Sequence, residues 1–342
     1  MASKVQKLIL GLLCLLLFLE PSSQQIRILM QGQEITYGTD LFSGGQGNFR
    51  LGFFRLARYN FYLGIWYNDN RAPIHENVVW VANRDTPIFN NSGSLTIDGY
   101  ENLKISYNGG LSIVLYSRQL GNDTSAALLD NGNFVLRERS TGRQLWQSFD
   151  YPTHALLPGM KLGVNRKTGH TWSLRSWRGR TMPEAGDFTF GMDPNHTDRL
   201  VILWHGNNYW TSPALNNNHI NSSDWSDTFD YVSSHVSNEN ETYFTYSVGK
   251  DITTPQRLTI DYLGNLNGSS GTLVRCDPCD GTLVAIGCAE QKLPQCRIIL
   301  PHYTQDKMFV NESRPGFKFN ESDILSVRDC EAKCLNNCSC VA

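Results

Sequence analysis

Cysteine and asparagine carry the most visible chemistry in this sequence. Of nine cysteines, Cys14 lies in an apolar N-terminal run. The other eight (Cys276, Cys279, Cys288, Cys296, Cys330, Cys334, Cys338 and Cys340) crowd the C-terminal end. Cysteines clustered this way in an exported chain read as disulfides. Cys276 and Cys279 have redox or zinc-knuckle spacing, but no Cys/His pair completes a zinc site. The histidines are scattered, with no His-x-x-x-His and no His-Glu-x-x-His, so the reading assigns no metal and no cofactor. Asn-x-Ser/Thr stands at Asn90, Asn122, Asn195, Asn221, Asn240, Asn267, Asn311, Asn320 and Asn337, each an N-glycosylation candidate in a secreted protein. Trp66, Trp80 and Trp146 sit in strand-like apolar runs and read as core rather than as stacking platforms. No Gly-x-Ser-x-Gly and no distinctive pair of acids appears. A secreted carbohydrate-active enzyme is therefore the third reading, behind two kinds of binding protein.

The elements that must position these residues are mostly strands. Hydrophobic residues make up 40% and charged residues 18% of 342, with a formal net charge of −2. That composition supports a packed core and offers no basic surface for nucleic acid. Lys4 and Lys7 precede the apolar run Leu8 to Leu19, and Glu20-Pro-Ser-Ser23 breaks it, which is the layout of a signal peptide over residues 1–23. Twelve apolar residues are too few to span a bilayer that needs about 20, and no later stretch predicts a membrane span. Short β-rich runs follow: Phe49 to Phe53, Val78 to Ala82, Ser94 to Ile97, Leu111 to Tyr116, Leu200 to Trp204 and Leu258 to Tyr262. A hairpin unit recurs around Asn102, Asn133 and Asn265, each a strand, an Asn/Gly turn and a strand. Such repeats predict pseudo-symmetric sheets burying one shared core. Only Glu321 to Leu335 has helical character, with Ser326 placed to cap.

Several Trp-containing motifs then fall in one order: Leu63 to Tyr67 (LGIWY), Val79 to Pro87 (VWVANRDTP), Leu145 to Thr153 (LWQSFDYPT) and Leu156 to Gly163 (LLPGMKLG). Arg175 to Trp177, Gly186 to Thr189 and Cys334 to Cys340 follow. Together they resemble the ectodomain of the plant G-type (bulb-type) lectin S-receptor-like kinases and S-locus glycoproteins. The resemblance implies a mainly β fold. A bulb-lectin β-prism over 24–149 is followed by a β-rich S-locus glycoprotein region over 150–271. A degenerate EGF-like stretch over 272–300 and a partial PAN/apple module over 301–342 complete it. It also implies that Cys334 pairs with Cys340 and that Cys330 pairs with a residue beyond Ala342, although full internal pairing of eight cysteines stays open. The sequence carries no kinase Gly-rich loop or His-Arg-Asp loop. Members of this class commonly read Pro-Thr-Asp-Thr where this chain reads Pro152-Thr-His-Ala155.

The expected function is extracellular recognition of a peptide, protein or cell-wall glycan, with dimerisation with itself or a related receptor. A secreted mannose-binding lectin is the alternative. Bulb lectins carry Gln-x-Asp-x-Asn-x-Val-x-Tyr on one strand, whose alternate residues face one sugar. Aligned on Asn102, this chain offers Asp98, Tyr100, Asn102, Lys104 and Ser106. Aligned on Asn133, it offers Leu129, Asn131, Asn133, Val135 and Arg137. The second match is the better one, so Asn131, Asn133 and Val135 are the candidate carbohydrate contacts, and mannose binding is expected to be weak or lost.

Overall fold

A computed structural model describes residues 26–45, 47–56, 59–69, 71–117, 123–215, 231–249, 255–276, 287–289 and 326–337. The signal-peptide assignment, the sequons at Asn122, Asn221, Asn311 and Asn320, and Cys279, Cys296, Cys338 and Cys340 lie outside the described residues.

The first half of the chain folds as short strands, alternating apolar and polar residues over Ser94–Ile97 and Leu103–Tyr107 and buried on both faces over Asn60–Tyr67 and Val78–Val81. They are β1 (Ile28–Met30), β2 (Glu34–Thr36), β3 (Leu41–Phe42), β4 (Phe49–Arg55), β5 (Asn60–Tyr67), β6 (Val78–Val81) and β7 (Ile88–Phe89). β8 (Ser94–Ile97), β9 (Leu103–Tyr107), β10 (Leu111–Tyr116), β11 (Thr124–Leu128), β12 (Phe134–Glu138) and β13 (Gln144–Gln147) follow. Three antiparallel sheets result. β3 to β7 form the first, β2 joins β8, β9 and β10 in the second, and β1 joins β11, β12 and β13 in the third. The chain thus lays down the edges of the third and second sheets, completes the first, and returns to finish the second and then the third. Leu29, Ile35, Leu51, Leu63, Leu95 and Phe134, drawn from all three sheets, meet in one buried core. Closure of three sheets around a shared core is the prism that the family resemblance implies, and it has the one shared core that the recurring hairpins predict.

The second half repeats that nested order. β14 (Ala155–Leu156), β15 (Leu162–Asn165), β16 (Thr171–Trp172), β17 (Leu174–Gly179) and β18 (Met182–Met192) come first. Then come β19 (Leu200–Trp204), β20 (Asn207–Thr211), β21 (Tyr231–Ser237), β22 (Glu241–Val248), β23 (Leu258–Ile260), β24 (Leu266–Gly268) and β25 (Gly271–Val274). β17 to β20 make one sheet, β15 and β16 pair with β21 and β22 in another, and β14 joins β23 to β25 in the last. The β-rich region after residue 150 is therefore a second three-sheet prism. Its Phe188, Phe190, Ile202, Phe244 and Ile260 belong to the same continuous core as the first.

The recurring turn explains the repeat at atomic level. Asp98 N–H donates to Asn102 O and Glu101 N–H to Asp98 O, with counterparts Leu129 to Asn133 and Asp261 to Asn265. The fourth residue is left-handed each time: Glu101 (φ 66°), Gly132 (φ 85°) and Gly264 (φ 84°). At Gly264 a Cβ would lie 2.5 Å from Phe188 Cε1, so glycine is required by packing as well as by backbone. Glu101 keeps a side chain there because it has a task. Its buried carboxylate accepts from Asp123 N–H, Thr124 N–H and Thr124 Oγ1, pinning the β8–β9 turn to the start of β11.

Two helices complete the described chain, α1 (Ile74–Asn77) and α2 (Val327–Leu335). Ser326 caps α2 through a capping box with Asp329. Arg328, 7% exposed, anchors the helix by donating to Tyr209 Oη at 2.8 Å and to Cys276 O at 2.6 Å. Cys276 is bonded to Cys288. Cys334 is also disulfide-bonded, whereas Cys330 carries a free thiol.

Candidate functional site

Alternation gives each sheet of the first prism an outward face, and the three faces have different fates. The first sheet turns Phe54, Tyr62, Trp66, Val78 and Val81 outward into a separate buried cluster with Trp177 of β17. Polar contacts ring that cluster. Tyr62 Oη donates to Glu184 at 3.1 Å, and Asp85 accepts from Ala185 N–H at 2.8 Å. The Arg84 guanidinium donates to the carbonyls of Pro183 (2.9 Å), Ser176 (2.6 Å) and Arg175 (3.1 Å). Burial lowers Arg84 to about 10, with Arg175 adding to that effect while Asp85 and Glu184 oppose it. His154, sealed beneath, shares its Nε2 with Val78 O at 3.1 Å and lies against Trp177. Burial first, and the charges of Arg84 and Arg257 next, push His154 down to about 3, so it is neutral. The first sheet's outward face is thus the joint between the prisms.

The third sheet holds the residues that best match the bulb-lectin strand. Asn131 is exposed, but Asn133 and Val135 are 5% and 1% exposed. The Asn133 amide donates to Gln147 Oε1 at 2.8 Å and accepts from Ser148 Oγ and Phe149 N–H at 3.2 and 3.3 Å. Its backbone N–H donates to Asn131 Oδ1. These bonds fasten the hairpin to a 3-10 turn at Ser148–Asp150 that leads into the second prism. Of the three sequence candidates, Asn131 lies in the β11–β12 turn, Asn133 just before β12 and Val135 within it, and only Asn131 is exposed. Asparagine stands at 133 because both ends of its amide are used internally.

The second sheet keeps its outward face. Ile35, Leu95, Ile97, Leu103 and Ile105 point inward and are fully buried. Their neighbours Glu34, Ser94, Thr96, Asp98, Lys104 and Ser106 line a polar groove of about 750 Å³. Lys104 Nζ meets Asp98 Oδ2 at 2.9 Å, and Ser94 Oγ donates to Glu34 Oε2 at 3.0 Å. Burial acts to raise the Asp98 carboxyl. Hydrogen bonds from Lys104, Asn102 and Tyr100 outweigh it and hold the group at about 2. Asn102 Oδ1 is buried without a hydrogen-bond partner. This groove shares Asp98, Lys104 and Ser106 with the Asn102 alignment, the poorer of the two in residue identity. Coverage of the first sheet's outward face by distant residues, which a strand motif does not encode, helps to single it out.

A prism built from three sheets around one core, with a polar groove on a sheet face, is the architecture of a bulb-type lectin. Residues 77–178 match the family model described as D-mannose binding lectin, and the chain is similar over most of its length to G-type lectin S-receptor-like kinases and in part to an S-locus glycoprotein. The G-type lectin S-receptor-like serine/threonine-protein kinase CES101 of Arabidopsis thaliana is 38% identical over 95% of this chain and 43% of its own length. The S-locus-specific glycoprotein S6 of Brassica oleracea is 43% identical over 46% of this chain and 37% of its own. The chain thus spans less than half the length of these curated relatives. Among solved structures, a monomeric mannose-binding lectin from Gastrodia elata is 23% identical over 36% of this chain and 96% of that one, at a TM-score of 0.26. No helix among the described residues is long and apolar enough to cross a membrane.

Proposed function

We propose that this chain is an extracellular recognition module that binds, rather than transforms, a saccharide ligand on the outward face of the second sheet. One observation carries the reading. The first sheet's outward face is consumed by the joint between prisms, Asn133 and Val135 of the third sheet are buried, and the second sheet carries the open Glu34–Asp98–Lys104 groove. Its size falls within the range of small-ligand sites, about 300–1,000 Å³. Catalysis on the sugar is disfavoured by the state of Asp98. A glycosidase acid needs a raised pKa, and Asp98 is held down near 2 and tied to Lys104.

Mannose itself is a poor fit. The family strand needs Gln, Asp, Asn, Val and Tyr at alternate positions. The Asn102 alignment keeps only Asn102, which is outside the groove lining, and the aligned residues in the groove are Asp98, Lys104 and Ser106. Each lost hydrogen bond to a neutral sugar costs about 1 kcal/mol, and a millimolar site has only about 4 kcal/mol to lose. Export, glycosylation and dimerisation with a like receptor belong to the same reading. Among the described sequons, Asn90, Asn195 and Asn240 are exposed. Asn267 is half-buried and spends its amide on Asp261 and Thr272. Calorimetry with mannose and with mannose-containing oligosaccharides tests the reading. The expected result is no monosaccharide binding tighter than about millimolar. Tight mannose binding lost in Asn133→Ala, with the fold intact, would restore the third sheet as the site.

A further inference from the structure

Where the second prism meets α2, three side chains from distant parts of the sequence converge. His205 Nε2 lies 2.8 Å from Asp329 Oδ1 and 3.9 Å from Asp187 Oδ1. One ligand atom from each of the three lies within 4.8 Å of the others. A single ring N–H cannot satisfy both carboxylates, and Asp187 Oδ2 is buried without a hydrogen-bond partner. Two carboxylates this close repel unless a positive charge lies between them.

The surroundings hold the three in place. His205 (φ 48°) and Gly206 (φ 80°) are both left-handed and join β19 to β20, the geometry of a two-residue type I′ hairpin. The ring is therefore aimed by a fixed turn. Asp329 gives its other oxygen, Oδ2, to Ser326 N–H and Oγ, so the capping box orients the carboxylate and frees Oδ1. Asp187 is fixed on β18. The Asp187 and Asp329 side chains are 19% and 11% exposed while His205 is 49% exposed, so the cluster opens to solvent on the histidine side.

We propose that His205, Asp187 and Asp329 form a divalent transition-metal site, with water completing the coordination, that clamps α2 to the second prism. One imidazole and two carboxylates with an open side match a three-ligand zinc site, and the imidazole favours Zn²⁺ over Ca²⁺. The cation would take up the orphaned Asp187 oxygen and neutralise the paired carboxylates. Titration of the EDTA-treated full chain with Zn²⁺, followed by calorimetry and by hydrogen exchange of the α2 amides, tests this. The expected result is one zinc per chain, slower exchange across α2, and no comparable effect of Ca²⁺. His205→Asn keeps a residue suited to the left-handed turn while removing the imidazole. It should weaken zinc at least about tenfold and abolish the α2 protection, and Asp187→Asn should do the same. Absence of zinc binding, binding unchanged in His205→Asn, or binding without slower α2 exchange would each overturn the proposal.

Discussion

At the scale of single residues, the joint between prisms sets an acid limit on the fold. His154 is neutral in the folded chain, with its pKa pushed from 6.5 to about 3. Unfolded, it binds a proton below about 6.5. The unfolded state therefore holds more protons between these values, and stability is full above pH 6.5 and falls as pH drops toward 3. Melting curves from pH 7 to pH 5 should show a loss of about 1.4 kcal/mol per pH unit from this group below 6.5. His154→Gln should flatten that slope. An unchanged slope would place the acid sensitivity elsewhere. Asp98 works with the opposite partners and a lower window. Held near 2 by Lys104 and the turn N–H groups, it adds stability above about 3.8 that is lost as pH falls toward 2. Asn133 resembles a sugar ligand because it needs an amide in the same place, but it spends that amide on Gln147, Ser148 and Phe149. The proposed zinc ligands show the converse. Asp187, His205 and Asp329 follow no spacing rule because three separate elements supply them, so no motif could have found them.

At the scale of elements, the five-residue turn is the repeated unit. Gly264→Ala should cost about 1–3 kcal/mol for the left-handed backbone, and more from the clash with Phe188. Glu101→Ala relieves backbone strain little and leaves two buried N–H groups and a hydroxyl without their acceptor. It should cost about 2–4 kcal/mol, read from denaturant midpoints. A smaller loss for Glu101→Ala than for a surface alanine substitution would mean the pin is dispensable. These turns were legible in the sequence because Asp, Asn and Gly advertise positive φ, and the strands at Val78 and Ser94 were legible from β-branched runs. The second prism was only half legible. Its β23–β24 hairpin keeps the Asp261–Asn265 turn, whereas β17 to β20 are joined by other turns that break the apparent repeat. The single capped helix near the C-terminus was readable from Ser326, but its docking through Arg328 to Tyr209 and Cys276 is a long-range contact with no local signature.

At the scale of the whole molecule, two prisms share one core and are sealed at a joint where Arg84 answers several backbone carbonyls. Arg84→Ala leaves those carbonyls unpaired and should cost about 3 kcal/mol or more, with both prisms melting at lower temperature together. Separate melting of two units, with one unaffected, would argue that the joint is not cooperative. The same joint covers one lectin face, and the proposed saccharide groove lies on another, that of the second sheet. A glycan array probed with the wild-type chain, with Ser106→Trp and with Arg137→Ala tests that claim most directly. Ser106→Trp fills the second-sheet groove, while Arg137→Ala alters an exposed residue of the third sheet. Saccharide binding by the wild type should survive Arg137→Ala and be lost in a folded Ser106→Trp chain. Binding that persists in Ser106→Trp, or no saccharide bound at all, would contradict the proposal.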